Sequence, residues 1–343
     1  MYMRHMFRQK AMLGLALIAT LGVAVGLTAQ PAAAAEVVVV YTARHYGKEP
    51  VFEAFTKETG IEMQSFDGNP SELFERLRAE GDKTPADVLL AVNAGDLWNA
   101  AQAGLLATIN SAALQANIPA HLRDAENRWF ALTVRARTIM YNTRKVRPEE
   151  LSTYEALGDP KWKNRLCLRP SNHVYNQSLL ATMIKRFGEA KVEAIVQGWV
   201  ANNPTLINSD SRILESIAAG ECDVGITNSY YLGRLLAKDP EFPVAPFWAN
   251  QPSTGTHVNI SGAGVTAHAK HRTNAIKLIE FLSRPEAQQG IAQSNFEYPA
   301  NPQAPVHPIL AKWGLFKQDD IDVAAASELQ AAAVKLADRA GYK

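Results

Sequence analysis

The sequence predicts an α/β chain folded as two lobes, each a mainly parallel sheet flanked by helices, with two strands crossing between them. Three observations carry this reading. Short apolar runs alternate with amphipathic stretches through both halves of the chain, as in parallel sheets with helices on their faces. The run "WFALTVRARTIMYNT" breaks that rhythm: it alternates apolar and polar residues and is long enough to pass from one lobe to the other. Finally, about 308 residues follow the leader, more than one core comfortably fills.

The leader comes first. Arg4, Arg8 and Lys10 make a basic start, and "AMLGLALIATLGVAVGLT" is an uncharged apolar core. "AQPAAAA" then ends in small residues, so Ala33-x-Ala35 fits a signal-peptidase site before Glu36. The apolar stretch is long for a signal, but the small-residue region directly after it favours cleavage over an uncleaved anchor. The residue directly after that site is Glu36, not a cysteine, which argues against a lipoprotein. Residues 1–35 are therefore read as a signal peptide, and the mature chain as periplasmic.

Element by element, "EVVVVYT" is a buried strand, and "EPVFEAFTKETG" a helix ending at Gly60. "IEMQSF" is a strand and "SELFERLRAEG" a helix with Ser71 as its expected cap. "ADVLLAV" and "GDLWNAAQAGLL" repeat the pair, and the long crossing run follows. A second series opens at "RLCLRPS" and continues through the helices "NQSLLATMIKRFG" and "EAKVEAIVQGWVANN". Then come "TLINSD", the helix "SRILESIAAG", the strand "CDVGIT" and a helix opened by "NSYY". "HVNISGAGVTAHA" reads as the second crossing strand, "NAIKLIEFLSRPEAQQGIAQS" is strongly amphipathic, and helical pattern returns in "ASELQAAAVKLADRAG". Two lobes joined by crossing strands suit closure around a ligand.

Basic and acidic residues nearly cancel, 35 against 34, without a basic block or acidic tail. That argues against nucleic acid or an anionic membrane as the main partner. No later run of ~18 apolar residues is present. Cys167 and Cys222 both sit in apolar strand-like segments: in an oxidising compartment they could be joined, or stay as two buried thiols. Neither has the spacing of a zinc ligand. There is no G-x-S-x-G elbow and no H-E-x-x-H, so a secreted hydrolase is disfavoured and no enzyme activity is expected.

The chemistry gathers where strands lead into helices, the usual ligand position of open α/β sheets. "ARHYG" holds His45 and Tyr46, "NHVYNQ" holds Tyr175, and "NSYY" holds Tyr230 and Tyr231. One tyrosine at such a point is ordinarily a packing residue with a wet hydroxyl. Four of them at three strand ends ask for another reason. Neutral phenols, with pKa near 10, gain nothing by crowding. A small, highly charged, hard cation changes that, because it favours oxygen donors and lowers their pKa. Ferric iron suits phenolate; calcium or magnesium would call for carboxylates, and zinc for Cys or several His. Four phenolates on a tripositive ion leave one negative charge, with His45 neutral. Arg44, Arg135 and Arg137 are candidate cationic neighbours, or else ordinary interlobe ion pairs. His173, beside Tyr175, is expected at the surface rather than on the metal.

These residues bring the chain close to a known group. "VVVYTARHYGKEPVFEAFTKETGI", "TPADVLLAV", "VRARTIMYNTRKV", "DPKWKNRLCLRPSN", "AAGECDVGITNSYY", "ISGAGVTAHAKHRTNAIKLIEFLSRPEAQ" and "FEYPANP" occur in this order over essentially the whole mature chain. In this the sequence resembles the periplasmic ferric-ion-binding proteins of bacterial iron ABC importers, which fold as a two-lobed "Venus flytrap" periplasmic binding protein. The resemblance implies Fe3+ as transported ligand and an inner-membrane ABC permease as partner, with the chain acting as a monomer. It implies Tyr230 and Tyr231 as core metal ligands and His45 at the amino-lobe ligand position. One branch adds a glutamate after the "PADV" strand; Val92 stands there in this sequence. Tyr46 and Tyr175 instead match the tyrosine-rich branch, which leaves a synergistic anion open. Ser171, Asn172, Asn228 and Arg135 would lie near such an anion or behind the ligands. The lobes are expected at residues 36–134 with about 261–310, and 135–260 with about 311–343. The competing reading is a binding protein of the same fold for an organic cationic or phosphorylated solute, its tyrosines forming an aromatic cage.

Overall fold

The computed structural model describes residues 36–44, 50–321 and 328–343. The leader, His45 and Tyr46 lie outside the described residues. Ten strands form the sheet: β1 Val37–Thr42, β2 Glu62–Asp67, β3 Val88–Ala91, β4 Phe130–Asn142, β5 Leu166–Leu168, β6 Thr205–Leu206, β7 Val224–Asn228, β8 Val244–Phe247, β9 Val258–Val265 and β10 Tyr298–Pro299. Their order is β2-β1-β3-β9-β4-β7-β5-β6, with β8 and β10 also paired to β4.

Each lobe has three parallel strands on its outer side, β2-β1-β3 in one and β6-β5-β7 in the other. The strands between them run antiparallel to their neighbours, so the sheet is mixed, and parallel only away from the crossing. β4 is the strand that crosses. Its first part, Phe130–Ala136, pairs with β9, and from Arg137 onward it pairs with β7 and β8. All thirteen of its residues are buried. β9 does not itself run through both lobes. It pairs only with β3 and the first part of β4, and the chain returns just before it, where Arg137 N donates to His257 O (3.0 Å).

The helices that matter for the site are α1 Pro50–Thr59, α2 Pro70–Glu80, α3 Ala94–Gln102, α4 Ala112–Asn117, α5 Val174–Phe187, α6 Glu189–Ala201, α7 Asp210–Ala219, α8 Ser229–Lys238, α9 Arg272–Ser283 and α10 Pro285–Asn295. α1 ends at Gly60, whose φ of 72° suits a residue without a Cβ. Ser71 does not cap α2. Asn69 does, accepting from Glu72 N at 3.0 Å, and Pro70 takes the first helical position, where a missing N–H costs nothing. The amphipathic stretch after β9 is two helices. Pro285 has no N–H to donate and holds Arg284 extended (ψ 151°), so α9 must stop and α10 begin.

The apolar side chains divide accordingly. One buried cluster draws on residues 38–136 and 258–310, and two others on residues 139–249 and 333–342. Cys167 and Cys222 are disulfide-bonded within the second lobe, which settles the two readings left open above. The bond joins β5 to the turn that enters β7. β5 and β7 approach closely: a Cβ on Gly225 would stand 2.5 Å from Cys167 O. Among the described residues no helix is long and apolar enough to cross a membrane.

Candidate metal centre

Two helices bring the tyrosines together, and both do it with their first turn. Tyr175 is the second residue of α5, which follows β5. Tyr230 and Tyr231 are the second and third residues of α8, which follows β7 without a break. β5 and β7 are hydrogen-bonded neighbours, so the two helix N-termini lie side by side. The hydroxyls of Tyr175 and Tyr230 are 3.1 Å apart, and the rings of Tyr230 and Tyr231 are 4.2 Å apart. Burial raises the Tyr231 phenol above its ordinary pKa; the neighbouring Tyr175 and, further off, Asp210 raise it too, while a hydrogen bond with Tyr230 pulls the other way. Negative oxygen at a helix N-terminus is favoured by the helix dipole.

Behind the phenols lies a buried polar frame that the sequence did not reveal. Arg137 is 2% exposed and donates to Asp210 Oδ2 (3.0 Å), Asn176 Oδ1 (2.8 Å) and Asn228 Oδ1 (3.3 Å). Asp210, 1% exposed, also accepts from Asn228 N (2.9 Å) and Arg169 Nη1 (3.3 Å). This frame fixes the ends of β5 and β7 and the starts of α5, α7 and α8 around one carboxylate. Arg137 is therefore neither a free cation nor an interlobe ion pair: its carboxylate partner is in the same lobe. The guanidiniums of Arg135, Arg137 and Arg169 stand 5.8, 5.7 and 5.5 Å from the Tyr175 ring centre, and that of Arg234 is 5.0 Å from Tyr230.

Other expected residues fall differently. Arg44 is buried against Glu297 (3.4 Å) and Thr133, an ion pair within the amino lobe. Arg135 donates to the carbonyl of Val92, the residue standing where a branch of the family carries glutamate. His173 is half-buried. It caps α5, its Nδ1 accepting from Tyr175 N (3.2 Å), and its pKa is depressed to about 4 by burial and by Arg169 and Arg137. Ser171 uses its N–H on Lys343 O (2.9 Å), and Asn172 is exposed. Asn228 precedes α8 with its Nδ2 buried and unpartnered among the described residues, as is Arg169 Nε.

Sequence reading missed Asp210, Asn176, Arg169 and Arg234. Arg169 carried a usable signal, since it directly follows β5 in "CLRPS"; Asp210 carried none, because its partners Asn228, Arg169 and Arg137 lie 18, 41 and 73 residues away. Among the described residues no group of three or more His, Cys, Asp or Glu could hold a metal ion.

The family described as "Bacterial extracellular solute-binding protein" matches residues 83–322. Iron uptake protein A1 of Synechocystis is 42% identical over 314 residues, covering 89% of this chain and 87% of that protein. A Trichodesmium protein (IdiA, FutA), solved in complex with iron and citrate ligands, is also 42% identical, with a TM-score of 0.86 over 90% of this chain and 100% of that one. The ferric binding protein from Campylobacter jejuni is 32% identical, with a TM-score of 0.81 over 89% of this chain and 100% of that one.

Proposed function

The chain belongs to the bacterial extracellular solute-binding protein family, and from that premise we propose that it captures Fe3+ and delivers it to the membrane permease of an ABC importer. The observation that carries this is the meeting of Tyr175 and Tyr230, 3.1 Å apart at the hydroxyls, with Tyr231 beside them. Hard, trivalent iron is the cation that such a set of oxygens suits.

In the proposed sequence Fe3+ lands on Tyr175, Tyr230 and Tyr231, and each phenol releases a proton as it binds. His45 and Tyr46 complete the shell from the amino side. The protein works by binding and release, not catalysis. Closure follows because a ligand shifts an equilibrium toward the state it contacts more. The leader ending at Ala35 and the extracellular character of the family support a periplasmic site of action.

One observation favours a second reading. Asn228 Nδ2 and Arg169 Nε are buried donors without partners among the described residues, and phosphoryl oxygens would satisfy them. An organic cation held by the ring faces is disfavoured, because guanidiniums already stand at the tyrosine rings. Ferric loading separates the readings. The iron protein should be red-orange from phenolate-to-iron charge transfer, and Tyr230→Phe with Tyr231→Phe should abolish the colour. A colourless loaded protein that gains thermal stability from an organophosphonate would establish the second reading in place of the first.

A further inference from the structure

We propose that Asn259, acting through Ser178, is a positioning residue that couples Tyr175 to the amino lobe; the inference rests on the iron reading above. Asn259 lies on β9 and is 7% exposed. Its Oδ1 accepts from Ala94 N (3.1 Å), at the first residue of α3, and from Ile260 N (2.8 Å). Two backbone donors thus fix which end of the carboxamide is oxygen. Its nitrogen then donates in two directions, to Asn93 Oδ1 (2.8 Å) and to Ser178 Oγ (2.9 Å). Ser178 is on α5, three residues beyond Tyr175 and so on the same helix face. The Ser178 hydroxyl, which accepts from Asn259, is also hydrogen-bonded with His257 Nε2, 3.2 Å away.

In the chain Asn93–Asn259–Ser178–His257 the Asn259 amide donates both ways, to Asn93 and to Ser178, and is fully used. Asn93 precedes α3 but does not cap it with its side chain; Asn259 supplies an acceptor there instead. A buried amide at a junction that apolar packing could fill is there for directionality. Next to it, Arg135 is the cross-strand partner of Asn259. Arg135 reaches Val92 O and stands over the Tyr175 ring. Two consecutive amino-lobe residues, Val92 and Asn93, are thus held by two ladder partners that both touch the first two turns of α5. When a cation draws the Tyr175 oxygen, α5 cannot shift without disturbing the start of α3, and the amino lobe in turn fixes where Tyr175 stands.

The test uses the mature chain loaded with Fe3+, with the charge-transfer band of the unmodified protein as control. Absence of that band would end the iron reading itself. Given the band, Ser178→Ala should fold, move the band, and release iron to a competing chelator about fivefold faster, the factor expected from losing the Asn259 coupling alone. Ser178→Thr, which keeps the hydroxyl, should restore both. Asn259→Asp keeps an oxygen for Ala94 N but loses both donors, and should act in the same direction. A folded Ser178→Ala protein with unchanged band and unchanged release overturns the proposal, whatever Asn259→Asp does.

Discussion

The carboxylate of Asp210 shows how much one residue can organise. It serves two guanidiniums, the buried Arg137 and the partly buried Arg169, and the backbone N–H of Asn228. Replacing both partners of a buried ion pair can be neutral, but removing one leaves an uncompensated charge. Asp210→Ala should therefore cost about 3–5 kcal/mol, read as a lowered urea midpoint at unchanged slope. A cost below ~1 kcal/mol, the range of exposed pairs, would show that the frame is not held by this charge. The phenols give a second expectation. Tyr231 is raised above the ordinary phenol range, so it is neutral near pH 7, and in the proposed site it would lose its proton to iron. Binding releases protons, so ferric affinity rises with pH, by roughly one decade per pH unit for each proton displaced. Competition with a chelator between about pH 5 and 7 measures the slope, and a flat profile would mean that no phenol is a ligand.

At the level of elements, the two strand-to-helix junctions of the carboxyl lobe were legible and their backing was not. Alternating apolar runs locate β5, β7, α5 and α8, and strand ends are where ligands bind, so Tyr175, Tyr230 and Tyr231 could be grouped from sequence. What holds them could not be grouped. Arg137 meets Asp210 and Asn176, and Asn259 meets Asn93 and Ser178, only because β4 and β9 pass through the middle of the sheet. No local periodicity encodes which buried polar residue faces which. Capping shows the same limit at shorter range: Ser71 and Asn69 are both good caps, and only Pro70 decides between them. The disulfide is the strongest tie at this scale. It closes a loop with a sequence separation of 55 residues, for which chain entropy alone predicts about 4 kcal/mol. Cys167→Ala with Cys222→Ala should lower stability by about that much. The variant should keep the iron colour, since the β5–β7 ladder and the Asp210 frame remain. Loss of the colour in a folded variant would place the bond among the determinants of the site.

At the scale of the whole molecule, the question is what sets the distance between lobes. α8 carries Tyr230 and Tyr231 at one end, and further along it Gly233 meets Phe296 of the amino-lobe cluster. A Cβ on Gly233 would stand 2.8 Å from Phe296 Cβ and 3.1 Å from its Cγ and Cδ1. The glycine is therefore a contact surface. In an unconstrained helix Gly→Ala gains about 1 kcal/mol, so Gly233→Ala sets helix propensity against a clash with atoms close to the partner backbone. Phe296 has little freedom to yield, because it ends α10 in a left-handed conformation, φ 57°, and is followed by the buried Arg44–Glu297 pair. The strain should thus be relieved by moving the lobes. Gly233→Ala is expected to fold with nearly unchanged thermal stability, to show a larger radius of gyration by solution scattering, and to release iron faster while keeping the charge-transfer band. An unchanged scattering curve with a large fall in stability would mean that α8 and the amino lobe are packed as a single rigid core, and that closure does not act through this contact.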